Sequence, residues 1–217
     1  MDHLTFAELA AEDAPRLDLL ALALAAEFVA VDADAALTTL DELGAELAAR
    51  WSPEPLAQVR ALASLLGDVH GFTGDSDHYD HPDNSMLDRV LARRRGLPIL
   101  LSVVYVEVAR RASIPLAGVG LPGHFVAGRF DGDAEPILLD PFSGGALTRA
   151  DDPALVRPWT AHEIAMRMLN NLVVAYHRRG NLSAAITAAE LRLTLPADDA
   201  LRSTLVGEHR ALTTRLN

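Results

Sequence analysis

One histidine and one aspartate stand where the pattern of the chain can bring them together. His124 opens an apolar run over 124–130, and Asp140 follows a second run over 136–139; residues 131–135 (Asp-Gly-Asp-Ala-Glu) separate them and read as a hairpin turn. A turn centred on Gly132 sets His124 opposite Asp140 and Val126 opposite Leu138. Opposed residues in an antiparallel pair lie about 4.5–5.5 Å apart and share one face of the sheet. An imidazole beside a carboxylate is the orienting half of a nucleophile–His–Asp triad, in which the acid fixes the tautomer and stabilises the imidazolium. The same spacing also fits a partly buried histidine with a purely structural carboxylate partner.

The third member of such a triad is hard to supply. The chain contains no cysteine, which excludes thiol catalysis, thiolate metal sites and disulfides. It contains no lysine either, which excludes a Schiff-base nucleophile. Ser102 is the nearest hydroxyl in the run that follows Pro98, one helical turn further on and on the same face. The competing reading is a helix-interior serine bonded to its own backbone. The polar stretch 70–85 holds His70, Asp75, Asp77, His78, Asp80, His81 and Asp83. His78 and His81 are its metal-ligand candidates, but no established ligand spacing is present. His162-Glu163 lacks the second histidine of a zinc helix, and no phosphate-cradling glycine loop follows any strand, so no cofactor is implied.

The elements that position these residues follow from periodicity. Residues 5–70 read as helices: Leu17, Leu20, Ala21, Leu24 and Phe28 recur at helical spacing, as do Leu37, Leu40, Leu43 and Leu47. After the polar loop, Asn84 or Ser85 is an N-cap signal for a short helix over 86–95, which Gly96 stops. Pro98 suits the first turn of a helix over 99–111, which is apolar almost all round and should lie at the centre of the core. Three short strands are expected at 116–121, 124–130 and 136–139. Helix returns from Thr160, turns at Gly180-Asn181, continues over 182–195 to Pro196, and resumes from about Asp198 to Leu216.

Composition narrows the function classes. The 217 residues allow a sizeable core, and the formal charge of −11 argues against a nucleic-acid partner, which would require a basic stripe for phosphates. The one dense basic run, Arg93-Arg94-Arg95, reads as a solvated helix end that complements the helix dipole. Asp2, Glu8, Glu12 and Asp13 interrupt any signal-peptide pattern, and the apolar stretch 17–31 is broken by Asp18 and Glu27. A bilayer span needs about 20 apolar residues, so neither a membrane partner nor a leader is expected, and the setting is taken as cytoplasmic.

Three blocks carry a family resemblance: 96–102 (Gly-Leu-Pro-Ile-Leu-Leu-Ser), 118–125 (Gly-Val-Gly-Leu-Pro-Gly-His-Phe) and 140–145 (Asp-Pro-Phe-Ser-Gly-Gly). Together with Phe72-Thr73-Gly74, Tyr79, Asn84-Ser85, Leu87, Val90, Arg95 and 167–172 (Arg-Met-Leu-Asn-Asn-Leu), the chain resembles the bacterial transglutaminase-like proteins of the invasion-regulator type. The resemblance implies an α+β fold with three regions. These are a helical N-terminal region (1–70), a transglutaminase/papain-like core of a central buried helix plus a small antiparallel sheet (71–158), and a tetratricopeptide-like helical tail (159–217). In active relatives a cysteine opens the central helix, where the helix N-terminus lowers a thiol pKa and offers donors to an oxyanion. Here that neighbourhood is Leu97, Pro98, Ile99 and Leu100. The expected function is therefore a non-catalytic or regulatory member that binds a protein or peptide, with Tyr79, Asn84 and Phe125 as binding residues. Two enzyme readings stand beside it: a hydrolase or acyl transferase using His124, Asp140 and Ser102 or an activated water, and a metal-dependent hydrolase using His78 and His81.

Overall fold

A computed structural model describes residues 5–132 and 134–215. Four helices come first: α1 (Phe6–Ala10), α2 (Leu17–Ala26), α3 (Ala33–Ala48) and α4 (Pro55–Ala63), the last running on into a π-helical turn, Ser64–Val69. The polar loop ends in a 3-10 turn (Pro82–Ser85) and leads into α5 (Leu87–Arg93) and the central α6 (Pro98–Arg111). Strands β3 (Leu116–Leu121), β4 (His124–Arg129), β5 (Ile137–Asp140) and β6 (Ala146–Thr148) form one antiparallel sheet in that order. Before them, β1 (Thr73–Gly74) and β2 (Arg95–Gly96) make a two-residue parallel ladder. Helices α7 (Ala161–Arg178), α8 (Leu182–Arg192) and α9 (Asp199–Thr214) follow the sheet. The fold is α+β, as read from sequence, with a helical C-terminal region.

The central helix is what its composition demands. Every residue from Pro98 to Tyr105 is buried, and Pro98 occupies the first turn, where its missing N–H is no loss. A single buried cluster runs from Phe6 and Leu20 through Leu100 and Leu101 to Leu172 and Leu195, so all three sequence regions contribute to one core. Helix α7 begins at a capping box: Glu163 N–H donates to Thr160 Oγ1 at 3.2 Å, and Thr160 N–H donates back to Glu163 Oε2 at 2.9 Å.

Charged residues also tie α2 and α3 to α6. Asp18 and Glu107 are buried at 0% and 2% exposure. Asp18 Oδ2 accepts from Arg16 at 2.7 Å, Arg110 at 3.2 Å and Arg111 at 2.7 Å, while Glu107 Oε2 accepts from Arg110 and Arg111 at 2.8 Å each. Burial alone would raise the Asp18 pKa, but hydrogen bonds from Arg16 and Arg111 outweigh it and hold the carboxyl at about 2. Glu107 moves the other way: burial raises it, and Asp18 nearby adds to the rise. Helical periodicity marks neither acid, because it reports faces and not the cross-helix partners that make a buried charge tolerable.

Several local expectations are corrected. The helix expected over 86–95 spans Leu87–Arg93, and its N-cap is Met86 without a side-chain bond, because Asn84 and Ser85 belong to the 3-10 turn. Arg94, not Gly96, closes it, adopting the left-handed conformation at φ 57°. Gly96 pairs with Gly74 instead. The Arg93–Arg95 run is no free helix end. Arg93 donates to Asp75 Oδ2 at 2.9 Å and to Asn84 Oδ1 at 3.1 Å, Arg94 to the His70 carbonyl at 3.0 Å, and Arg95 to the Gly74 carbonyl at 3.3 Å. The three arginines fasten the polar loop. Strand β6 was not expected at all.

Candidate functional site

His124 opens β4, at the edge of a two-residue turn where Gly123 takes φ 70°. Asp140 closes β5. The register between them differs from the expected one: Ala127 pairs with Leu139, Gly128 with Leu138 and Arg129 with Ile137. The pairing is thus displaced by two residues from that of a hairpin centred on Gly132. A one-residue slip would have put the two side chains on opposite faces, whereas a two-residue slip keeps them on the same face. His124 Nε2 and Asp140 Oδ2 accordingly lie 3.1 Å apart, within ion-pair distance.

Asp140 also builds the turn after it. Its Oδ1 accepts from the Phe142 N–H at 2.9 Å, and its Oδ2 accepts from Ser143 Oγ at 2.9 Å, capping the 3-10 turn Pro141–Ser143. The sequence carried this signal: an aspartate, then proline at the first helical position, then a serine three residues on. The Phe142 ring meets His124 edge-on at 6.5 Å and Tyr79 at 6.0 Å. It lies so close over Gly74 that a Cβ there would come within 2.4 Å of the ring. Thr73 Oγ1 donates to the Phe142 carbonyl at 3.2 Å. Through Phe142, the His–Asp pair is joined to the strand that pairs with Gly96, just before α6. From the other side, Arg167 on α7 donates to the His124 carbonyl at 3.3 Å and stands over the Trp159 ring at 5.9 Å.

Beneath the site, burial pushes the Tyr105 hydroxyl pKa well up, and the charges of Asp68 and Asp140 add to the rise. That hydroxyl has no hydrogen-bond partner among the described residues, and a Cβ at Gly145 would stand 3.0 Å from it. Helical periodicity reports which face is apolar and gives no sign that the Tyr105 hydroxyl lies near the pair.

Ser102 does not complete the constellation. Ser102 is fully buried, and its Oγ has no hydrogen-bond partner among the described residues. Both sequence readings of Ser102 are therefore corrected. It is neither bonded to the helix backbone nor aligned with His124. The start of α6 presents Leu97 as N-cap, then Pro98 and Ile99, all buried. None of these side chains can attack a carbonyl.

The loop residues fall into structural roles. Asn84 is fully buried; its Nδ2 donates to the His78 carbonyl at 2.8 Å, its Oδ1 accepts from Arg93, and its backbone carbonyl accepts from the Leu97 N–H at 3.0 Å. Phe125, 1% exposed, packs edge-on against Trp159 at 5.5 Å. Neither has surface left for a partner, which corrects both binding assignments. Tyr79, by contrast, is 46% exposed and lines a cleft of about 200 Å³ with His81, Leu97, Asn171 and Arg178. His78 Nδ1 faces Asp75 at 3.8 Å, and His81 Nδ1 accepts from the Asp83 N–H at 3.3 Å. Among the described residues, no group of three His, Asp or Glu side chains could hold a metal ion, so the His78/His81 hydrolase reading lacks its ligand set. No helix among them is long and apolar enough to cross a membrane.

Comparison with known proteins finds relatives in bacteria and in animals. A UPF0162 protein of Xylella fastidiosa is 37% identical over 67% of this chain and 59% of its own length. A UPF0162 protein of Pseudomonas aeruginosa is 32% identical over 93% of this chain and 80% of its own length. F-box only protein 21 of Homo sapiens is 37% identical over 38% of this chain and 13% of its own length. The chain thus spans less than two thirds of the Xylella relative. No solved structure matches it. The family profile of the transglutaminase-like superfamily matches residues 34–166, which takes in α6, the sheet, His124 and Asp140, and the chain belongs to that superfamily.

Proposed function

We propose that this chain is a non-catalytic, regulatory transglutaminase-like protein that binds a protein or peptide at the cleft beside the start of α6. The observation that carries this reading is an acid–base pair with no reactive side chain at the helix start beside it. His124 and Asp140 stand 3.1 Å apart, while the helix start that would hold the nucleophile is Leu97, Pro98 and Ile99. A histidine oriented through Nε2 offers Nδ1 to a thiol or hydroxyl, and the chain has no thiol and buries Ser102. What remains is a surface: exposed Tyr79, the aromatic contact to Phe142, and a cleft floored by Leu97. We read the helices after residue 159 as the tetratricopeptide-like tail of the invasion-regulator type, extending that surface, and take the cytoplasm as the setting.

Two measurements test the proposal together. Purified protein is assayed for incorporation of an amine probe into a glutamine substrate and for turnover of an ester and anilide panel. In parallel, Tyr79 is replaced in cells by a photoreactive aromatic amino acid, with Trp51, exposed on the N-terminal region, as the control position. No turnover and a crosslinked protein specific to position 79 are expected. Turnover that disappears in His124→Ala would overturn the non-catalytic reading, and crosslinks no stronger at position 79 than at position 51 would overturn the binding one.

A further inference from the structure

The helical tail contains a charged side chain that the fold leaves half met. Arg192 ends α8 and is only 4% exposed. Its Nη1 donates to Asn170 Oδ1 on α7 at 3.0 Å and to Glu208 Oε2 on α9 at 2.8 Å. Its Nε and Nη2 are buried and have no partner among the described residues. Arginine cannot shed its proton to escape this situation, so those N–H groups stay obligatory donors. Nε and Nη2 form the side-on edge of the guanidinium, two parallel donors spaced to match both oxygens of a carboxylate. This chain uses that edge twice elsewhere. Arg16 gives Nε and Nη2 to Asp18 at 3.2 and 2.7 Å, and Arg129 gives them to Asp131 at 2.5 and 3.0 Å.

Arg192 lines an open groove of about 620 Å³ between α7 and α9. Val174, Leu201 and Leu212 provide apolar wall, with Val174 and Leu201 47% and 40% exposed. The charged lining is three arginines, Arg178, Arg192 and Arg215, against Glu208 alone, a local reversal in a chain of net charge −11. Arg178 pairs with Asp80 on the polar loop at 2.7 Å, and Arg215 contacts His177 at 2.8 Å, with no acidic partner among the described residues. Helix α9 buries only Leu205 among its described residues, and a ligand reaches the Arg192 Nε and Nη2 edge only if that helix moves outward. Val174 and Arg178 also line the cleft beside Tyr79 and Leu97, so the two depressions share a wall.

We propose that this groove binds a peptide through a carboxylate, received side-on by Arg192 Nε and Nη2, with apolar neighbours of that carboxylate resting on Val174 and Leu201. The proposal rests on the reading above that the chain binds a peptide, and it names the chemistry that the partner must carry. The carboxylate could belong to an Asp or Glu side chain or to a peptide C-terminus, and both present the same pair of oxygens.

The test is selection from a random peptide library on the purified chain, followed by titration of the best peptide by fluorescence anisotropy. Each selected peptide is compared with its Asp→Asn or Glu→Gln form and with its C-terminal amide, which separates the two carboxylate sources. Arg192→Lys keeps the charge and removes the side-on edge. Leu201→Glu, at an exposed position, leaves the fold alone and sets a repelling charge at the groove. Selected peptides should carry acidic groups beside apolar residues. Affinity should fall about tenfold or more on neutralising the carboxylate and likewise in each protein variant, the scale of one charged hydrogen-bonded contact. Neutral peptides, or affinity unchanged from wild type in Arg192→Lys and Leu201→Glu, would overturn the carboxylate assignment while a Tyr79 crosslink still left peptide binding standing. Failure of both the selection and the crosslink would overturn the binding reading itself.

Discussion

Replacing Ser102 by alanine should make the protein more stable. The Ser102 side chain is fully buried in α6, and its hydroxyl meets no partner among the described residues. A buried hydroxyl left unmet costs about 1–3 kcal/mol relative to one in water. Alanine also favours an interior helical position over serine by about 0.5 kcal/mol. Against these stands the small void left by one oxygen atom, on the order of a fraction of a kcal/mol at the usual slope with cavity volume. The net gain is about 1 kcal/mol, or roughly 2–4 °C in Tm for a chain of this size. A backbone-bonded serine, the expectation from sequence, would instead lose about 1 kcal/mol on the same change. Leu101→Ala is the internal control. Leu101 is fully buried, so truncation should remove about 2–5 kcal/mol. Urea denaturation followed by circular dichroism gives both values, and turnover of the ester panel is measured on the same samples. A loss of stability in Ser102→Ala, or an ester activity that vanishes with it, would refute the reasoning.

Three further outcomes follow from the packing. Asp18 has its folded pKa held down from 3.8 to about 2, so its contribution is complete above the unfolded value and lost as pH falls through 2; acid titration of stability between about pH 4 and 2 should therefore show a fall that is smaller in Asp18→Asn. Gly67→Ala should destabilise the chain by about 2 kcal/mol or more, because a Cβ there would come within 2.0 Å of the Gly144 carbonyl oxygen and force the turn after Asp140 to move; an unchanged melting temperature would contradict that close approach. Arg93→Ala should release the polar loop by removing the contacts to Asp75 and Asn84, read as faster limited proteolysis within 75–81 at little change in global stability.

The sequence by itself determined the chemistry that is missing and the elements that frame it. Without cysteine or lysine, no tertiary arrangement can supply a thiol or a Schiff base. The all-round apolar run after Pro98 forms the buried helix expected of it, and β3 spans the run 116–121 expected as a strand. The parity of the hairpin was legible too, because strand side chains alternate with period two whatever the loop length. The register itself was not legible. Ala127 pairs with Leu139, two residues beyond the partner that a turn centred on Gly132 would give it, and only the packed sheet decides that offset. The same limit hid the fate of individual polar groups. Nothing local distinguishes Asn84, sealed inside a loop by Arg93, from an exposed asparagine, or Ser102 from a backbone-bonded serine. Local pattern reports which face of an element is apolar. Which donor finds which acceptor across 92 residues, as Arg110 finds Asp18, is fixed only when distant elements pack, and so is the unmet edge of Arg192 between α7 and α9.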